Sequence, residues 1–337
     1  MKIAINGFGR IGRIFFRQAF GYPNFDIIAI NDLSDPQNLA YLLKYDTVYG
    51  PYEKSVEVKE NKLIVDGKEI LIFKETDPTK LPWKDLGIDI VVEATGVFTE
   101  YEKAKAHLVA GAKRVVITAP AKDEITPTFT PGLEDIAKIS SLGETEFITS
   151  NASCTTNSVN PVLAILIKRI GIKKAILTTI HAYTATQNLV DGIVKGHDFR
   201  RGRAAALNIV PSTTGAAEAT ARVIPSLKGK FDGISIRVPV ICGSLSDITC
   251  LTERPTSVEE INNIFKEEAQ KPEWQGILKV VEDQIVSSDI LKEPYGAIVD
   301  LTLTKVVDGD LVKVFSWYDN EWGYCAMLIK HIERLPL

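Results

Sequence analysis

Cys154 sits in Ser150-Asn151-Ala152-Ser153-Cys154-Thr155-Thr156-Asn157, a run of small polar residues leading into a long apolar stretch. A thiol so placed opens a helix, where unpaired N–H groups and the positive end of the helix dipole favour the thiolate. A packing cysteine belongs in an apolar run, as Cys325 does. His181, in Thr178-Thr179-Ile180-His181-Ala182-Tyr183-Thr184, supplies a candidate base. Alone, a histidine at a strand end reads as a hydrogen-bonded structural residue. Its company with Cys154 makes it a partner that takes a proton and holds the thiol as an ion pair. Thiolate and base together equip a chain for covalent catalysis through a thioester.

Gly7-Phe8-Gly9-Arg10-Ile11-Gly12 fits G-x-G-x-x-G, a weak signal by itself. Here it follows a strand at 2–6 and opens a helix at 11–20. Asp32 then closes the next strand, 27–31, at the roughly 20-residue distance of a Rossmann fingerprint. Gly7, Gly9 and Gly12 would let the backbone turn and approach a pyrophosphate seated on the helix N-terminus. Asp32 would accept ribose hydroxyls and repel a 2′-phosphate, favouring NAD over NADP. Its competing reading is an ordinary helix cap. Thiolate, base and dinucleotide together point to an aldehyde dehydrogenase.

The elements that must carry these residues fall into two halves. Strand signals at 2–6, 27–31, 88–93 and 114–118 alternate with helix signals at 11–20 and 100–112, which predicts a doubly wound parallel sheet. After Cys154 a helix at 158–169 gives way to long strands at 175–181, 233–238, 246–253 and 297–306, with one further helix at 258–270. The expected class is α/β plus α+β. An N-terminal Rossmann domain over 1–153, joined by the C-terminal helix 318–337, precedes a catalytic domain over 154–317 on a mixed or antiparallel sheet. The stretch 182–208, rich in Gly, Arg and Ala, reads as an extended functional or interfacial loop. A length of 337 residues suits two domains. A net charge of −4 invites neither nucleic acid nor an anionic membrane. The four cysteines have no metal-ligand or disulfide spacing, and no segment has the length to span a membrane or the pattern of a signal peptide. A cytoplasmic protein without a metal is expected.

The stretches 6–13, 150–157, 181–187, 200–206, 211–217, 237–239 and 317–323 resemble the phosphorylating, NAD-dependent glyceraldehyde-3-phosphate dehydrogenase family of glycolysis, in the right order across essentially the whole chain. The resemblance implies oxidation of D-glyceraldehyde 3-phosphate with NAD and inorganic phosphate to 1,3-bisphosphoglycerate, through a Cys154 hemithioacetal and thioester with His181 as base. It implies Thr184 and Arg237 for the substrate's phosphate. For the incoming phosphate it implies Ser153, Thr155, Thr214 and Gly215, with Arg201 reaching into the site. Such forks and turn amides are what phosphate oxygens need. The run 212–215 also caps the helix that follows, and Arg237 alone would read equally well as a surface strand residue. Asn320 is implied to orient the nicotinamide carboxamide, Arg10 and Ile11 to lie along the pyrophosphate, Thr118 at the nicotinamide end and Thr76 on the adenine side. The family implies a homotetramer.

The nearest alternative is a hydrolytic erythrose-4-phosphate dehydrogenase, which the run His181-Ala182-Tyr183-Thr184 disfavours. Semialdehyde dehydrogenases share the two-domain plan but not Ser153-Cys154-Thr155-Thr156-Asn157. An idle NAD-binding regulator would be expected to lack Cys154 or His181. The chain departs from the commonest family pattern at 192–197, at Val240-Ile241-Cys242 and at 292–296. None of these departures is expected to touch the chemical groups.

Overall fold

The computed structural model describes residues 1–133, 147–194 and 196–336, so Lys195 of the altered 192–197 segment lies outside it. The chain forms two compact units. The first comprises Met1–Phe129, the run into Ala152 and the C-terminal residues from Leu328; the second comprises Thr130–Leu133 and Ser153–Met327. The boundary before Ser153 adjoins the expected one. At the other end Tyr318–Met327 groups with the second unit, not with the first as expected, and the helix Trp322–Arg334 contributes to both.

The first unit is built on β1 (Lys2–Asn6), β2 (Asp26–Asn31), β3 (Val56–Lys59), β4 (Lys62–Val65), β5 (Lys68–Phe73), β6 (Ile90–Glu93), β7 (Arg114–Ile117) and β8 (Ile148–Ser150), in the order β3-β4-β5-β2-β1-β6-β7-β8. From β5 to β8 every pairing is parallel. Its central strands β6 and β7 are buried at every position and apolar but for Glu93 and Arg114 at their ends, which is the signature of a parallel sheet covered on both faces. The antiparallel edge β3-β4-β5 was not foreseen. The helix expected at 100–112 is two short pieces, Tyr101–Ala104 and Ala106–Val109, broken at Lys105. Strand order reverses across β1, with β2 on one side and β6 on the other, and a ligand of such a sheet binds outside the carboxyl ends at that point.

The second unit holds β9 (Ile172–Ala182), β10 (Val210–Ser212), β11 (Phe231–Val238), β12 (Ser244–Thr252), β13 (Leu278–Val281), β14 (Ala297–Val307) and β15 (Leu311–Tyr318), in the order β10-β11-β9-β12-β15-β14-β13. The sheet is mixed: β11–β9 and β13–β14 pair parallel, the remaining neighbours antiparallel. Strict alternation of burial along β12 shows one face turned to a core. Helix Cys154–Ile170 contributes Val159, Val162, Leu163, Ile165 and Leu166 to it, against Leu177, Ile248, Val299 and Val314. Each such side chain contributes about 1.5–3 kcal/mol by burial, which anchors the helix carrying Cys154. Among the described residues, 183–208 contains no strand and a single 3-10 turn, Phe199–Gly202.

Candidate active site

Backbone geometry delivers Cys154 to the head of its helix. Ala152 takes φ +54°, a left-handed conformation uncommon for a residue with a Cβ. Ser153 then returns to extended backbone, and its Oγ caps the helix by accepting from the Thr156 N–H at 3.0 Å. Cys154 is the first helical residue and stays partly exposed. His181 arrives from the penultimate position of β9, which places its Nε2 3.4 Å from Cys154 Sγ.

Parallel pairing of β11 with β9 sets Arg237 directly beside His181. Arg237 Nη1 lies 2.6 Å from His181 Nδ1 and donates to the Ala182 carbonyl at 3.1 Å, while Nδ1 itself lies 2.7 Å from that carbonyl. Burial pushes the Cys154 thiol up, against the lowering pull of the Arg237 charge and of hydrogen bonds from Thr155. Burial first, and the Arg237 charge second, hold the His181 imidazolium down to about 3. Both shifts run against the charged forms of the expected thiolate–imidazolium pair.

The remaining anion-site candidates divide. Thr184 is half-buried, and its hydroxyl shares a hydrogen bond with Thr186 at 2.9 Å. Arg201 is tied to Asp198 Oδ2 at 3.1 Å, to Ser212 Oγ at 2.8 Å and, through Nη1, to Thr186 at 3.4 Å. That links it to the Thr184 pair rather than leaving it in solvent. Thr214 Oγ1 accepts from the Ala216 N–H at 3.2 Å, and exposed Gly215 precedes the helix Ala216–Val223 with no side-chain cap. Thr155 differs from expectation. Its hydroxyl is buried against the Tyr318 hydroxyl at 2.9 Å, so what it offers a ligand is its backbone N–H at the helix start.

In the first unit the fingerprint sits at the carboxyl end of β1. Gly7 has φ +92°, and a Cβ there would meet the Thr95 backbone at 2.7 Å; one on Gly12 would meet the Gly7 carbonyl at 2.2 Å. Both glycines are demanded by packing. Gly9 is exposed, and a Cβ there would project into open space, the room a pyrophosphate needs in front of a helix that no side chain caps. Asp32 accepts from Phe8 N at 2.7 Å through Oδ2 and from Ser34 N at 2.9 Å through Oδ1, which fixes the carboxylate and leaves each oxygen a lone pair. Thr76 is exposed just beyond β5, and Thr118, at the end of β7, bonds the Glu93 carbonyl through N and Oγ1, both at 3.0 Å. Arg10 departs from expectation. Its guanidinium is paired with Asp46, so its contribution to an anion would come through the backbone.

Comparison with known proteins follows this geometry. Residues 1–101 match the NAD binding domain of glyceraldehyde 3-phosphate dehydrogenase, and residues 153–320 match its C-terminal domain. Full-length relatives carrying the name glyceraldehyde-3-phosphate dehydrogenase include one from Thermotoga maritima, 50% identical over 336 residues, covering 99% of this chain and 98% of the relative. Another, from Clostridium pasteurianum, is 49% identical over 336 residues, covering 98% and 97%. The chain belongs to the glyceraldehyde-3-phosphate dehydrogenase family. A fungal relative, glyceraldehyde-3-phosphate dehydrogenase B of Aspergillus oryzae, is 46% identical over 329 residues, covering 97% and 96%.

Within the family's C-terminal region the structure adds residues that sequence reading passed over. The Tyr318 hydroxyl bridges Thr155 and Thr179, at 2.9 and 2.7 Å, and its ring meets His181 edge-on with centroids 5.9 Å apart. Asn320 is buried, its Oδ1 accepting from Gly243 N at 3.1 Å and from Ser244 Oγ at 2.9 Å. Cys242, inside the 240–242 departure from the family pattern, lies 3.2 Å from Asp319 Oδ1 and 3.7 Å from Asn320 Oδ1. That departure therefore does touch a proposed site residue, contrary to expectation. The alternating burial of a hairpin partner strand could have flagged Tyr318; nothing in the sequence pairs residues 242–244 with residue 320.

Proposed function

We propose that the chain oxidises D-glyceraldehyde 3-phosphate and phosphorylates the product to 1,3-bisphosphoglycerate, using NAD and inorganic phosphate. The observation that carries this is Cys154 Sγ lying 3.4 Å from His181 Nε2 at a helix N-terminus, in a chain of this family. Sγ gives up its proton to the imidazole and bonds the aldehyde carbon, the imidazolium returns that proton to the alkoxide, and the hemithioacetal hydroxyl then surrenders it to His181 as hydride leaves for the bound cofactor. Bound NAD supplies the hydride acceptor. The Cys154 thioester that results retains the energy of oxidation, so a phosphate oxygen can displace sulfur and leave an acyl phosphate.

Each remaining residue has a part consistent with its geometry. Gly7, Gly9 and Gly12, the backbone of Arg10 and Ile11, and Asp32 would hold the dinucleotide's pyrophosphate and ribose, with Thr76 and Thr118 on the same strand ends. Asn320 has its Oδ1 committed, which presents Nδ2 to a carboxamide oxygen. Arg237 and Thr184 would take the substrate's phosphate. The Ser153 and Thr155 amides, Thr214, Gly215 and Arg201 would take the attacking one. A homotetramer in the cytoplasm fits the family. It also fits Leu189, Ile193, Phe199 and Leu207, large apolar side chains that stand exposed along 182–208, Ile193 at 98%. No helix among the described residues is long and apolar enough to cross a membrane.

The test is NADH formation from glyceraldehyde 3-phosphate and NAD, with and without inorganic phosphate. Phosphate-dependent turnover is expected. Phosphate-independent turnover, or preference for erythrose 4-phosphate, would move the chain to the hydrolytic reaction.

A further inference from the structure

We propose that His107 and Glu93 are positioning residues for the dinucleotide. With Asn6 and Asn31 they form one buried hydrogen-bond chain that holds the loops at the carboxyl edge of the first sheet in their cofactor-binding geometry. This rests on the dinucleotide half of the reading above and is independent of the thiol chemistry.

The chain has a fixed polarity, because each of its ends is an N–H that can only donate. At one end the Trp83 indole Nε1 donates to His107 Nδ1 at 3.2 Å, so Nδ1 must offer a lone pair and the ring proton sits on Nε2. Nε2–H then donates to Glu93 Oε2 at 3.0 Å. At the other end the Glu75 N–H donates to Asn31 Oδ1 at 2.8 Å, which turns Asn31 Nδ2 toward Asn6 Oδ1 at 2.7 Å. Asn6 therefore presents Nδ2 to the same Glu93 oxygen, at 2.6 Å. Two donors meeting at one oxygen account for the 3.3 Å between Asn6 Nδ2 and His107 Nε2. Glu93 Oε1 takes the Thr95 N–H at 2.9 Å and the Thr95 hydroxyl as well. Among the described residues the carboxylate thus meets two donors on each oxygen, which fills its lone pairs.

Asn6, Asn31, Trp83, Glu93 and His107 are all buried. Desolvating a buried carboxylate offsets most of what its hydrogen bonds contribute, so the cluster adds little stability over an apolar one of the same volume. What it adds is direction. Glu93 ends β6, and its side chain fixes Thr95, whose backbone lies so close across Gly7 that a Cβ there would meet Thr95 N at 2.7 Å. The Glu93 carbonyl also takes the Thr118 N–H and hydroxyl, both at 3.0 Å. Asn31 grips Glu75 at both its N–H and, at 2.9 Å, its carbonyl, immediately before Thr76. The fingerprint turn and the residues that follow β5, β6 and β7 therefore share one set of bonds at the point where strand order reverses. Without the His107 donor the carboxylate is free to turn off Thr95, and the displacement passes through the Thr95 backbone to Gly7. A binding site is only as well placed as the residues that support it.

The experiment is calorimetric titration of NAD into the full chain and two variants. His107→Phe keeps the bulk of the ring without its donor or acceptor; His107→Gln returns an amide N–H to the reach of Glu93. We expect Kd for NAD to rise about tenfold in His107→Phe and to fall back to within about threefold of the wild type in His107→Gln. A purely structural role would lower the urea midpoint and leave Kd of the folded protein where it was, and that result overturns the proposal. So does a His107→Gln variant that binds no better than His107→Phe, since packing and not the donor would then be at work. If neither variant folds, the wild type decides, through 15N spectra of protein labelled at its four histidines. His107 should show Nε2–H with a bare Nδ1, and its resonances should move at NAD saturation, because coupling between the chain and the bound dinucleotide runs both ways. A ring protonated at Nδ1, or one indifferent to NAD, overturns the inference. Wild-type protein that binds no NAD removes the dinucleotide reading beneath it, an outcome distinct from unchanged affinity in the variants.

Discussion

At the scale of single residues, the proposed chemistry rests on a thiol and an imidazole 3.4 Å apart. Burial pushes the Cys154 thiol up and holds His181 at about 3, both against the charged forms. Cys154→Ser should cut NADH formation by about three orders of magnitude or more while NAD still binds, checked by initial rates and calorimetry. His181→Asn should lower kcat on the order of 10²–10⁴-fold, the usual worth of a positioned acid–base group, with a much smaller change in KM. Retained rates in either variant would remove the thioester route. Asp32→Gly should raise NADP use relative to NAD; an unchanged ratio of kcat/KM values would mean that the carboxylate serves only Phe8 and Ser34.

At the scale of elements, what matters is how helices begin. Ser153 caps the helix of Cys154, so Ser153→Ala should destabilise the fold by about 1 kcal/mol, read from the urea midpoint. At the other helix start, two glycines of one motif have different jobs. Gly12→Ala drives a Cβ into the Gly7 carbonyl and should cost about 1–3 kcal/mol of stability. Gly9→Ala meets nothing within the chain, so the urea midpoint should hold while Kd for NAD rises about tenfold, equivalent to about 1.4 kcal/mol. Equal loss of stability in both variants would show that Gly9 is structural. The glycine pattern was plain in the sequence; the division of labour was not, because it depends on which backbone lies across each glycine.

At the scale of the molecule, two properties emerge that no local window contains. The first is acid sensitivity. His331 is buried in the first unit, with Nδ1 3.1 Å from Asn151 Oδ1 and Nε2 3.2 Å from Thr149 Oγ1. Burial first, then the Arg334 charge, hold it at about 3, against about 6.5 in an unfolded chain. Below pH 6.5 the unfolded state takes up a proton that the folded state refuses. Its contribution is thus complete above about 6.5 and falls by about 1.4 kcal/mol per pH unit as pH drops toward 3. The stability difference between wild type and His331→Gln, from urea titrations at pH 7 and pH 5, should shrink by roughly that slope; a constant difference would refute it. The second is the association proposed above. Leu207, 84% exposed, and Ile193 would suit its subunit interface, so if the chain forms the proposed homotetramer, Leu207→Asp with Ile193→Asp should give smaller species in sedimentation than the unaltered chain.

The sequence by itself determined the parts whose signal is local. The glycine turn with its acid one strand later, the thiol in a polar run before an apolar helix, and the change from alternating helices to long strands are all written within a few tens of residues. The resemblance then named the anion-site residues. Tertiary structure decided what depends on distant partners. It turned Thr155 toward Tyr318, committed Arg10 to Asp46, set Cys242 beside Asp319 and folded an antiparallel edge onto the first sheet. It also brought Arg237 onto the ring of His181 through strand pairing, and buried that ring, which disfavours its charged form. Propensity and spacing are properties of neighbours along the chain; hydrogen-bond partners and desolvation are properties of neighbours in space.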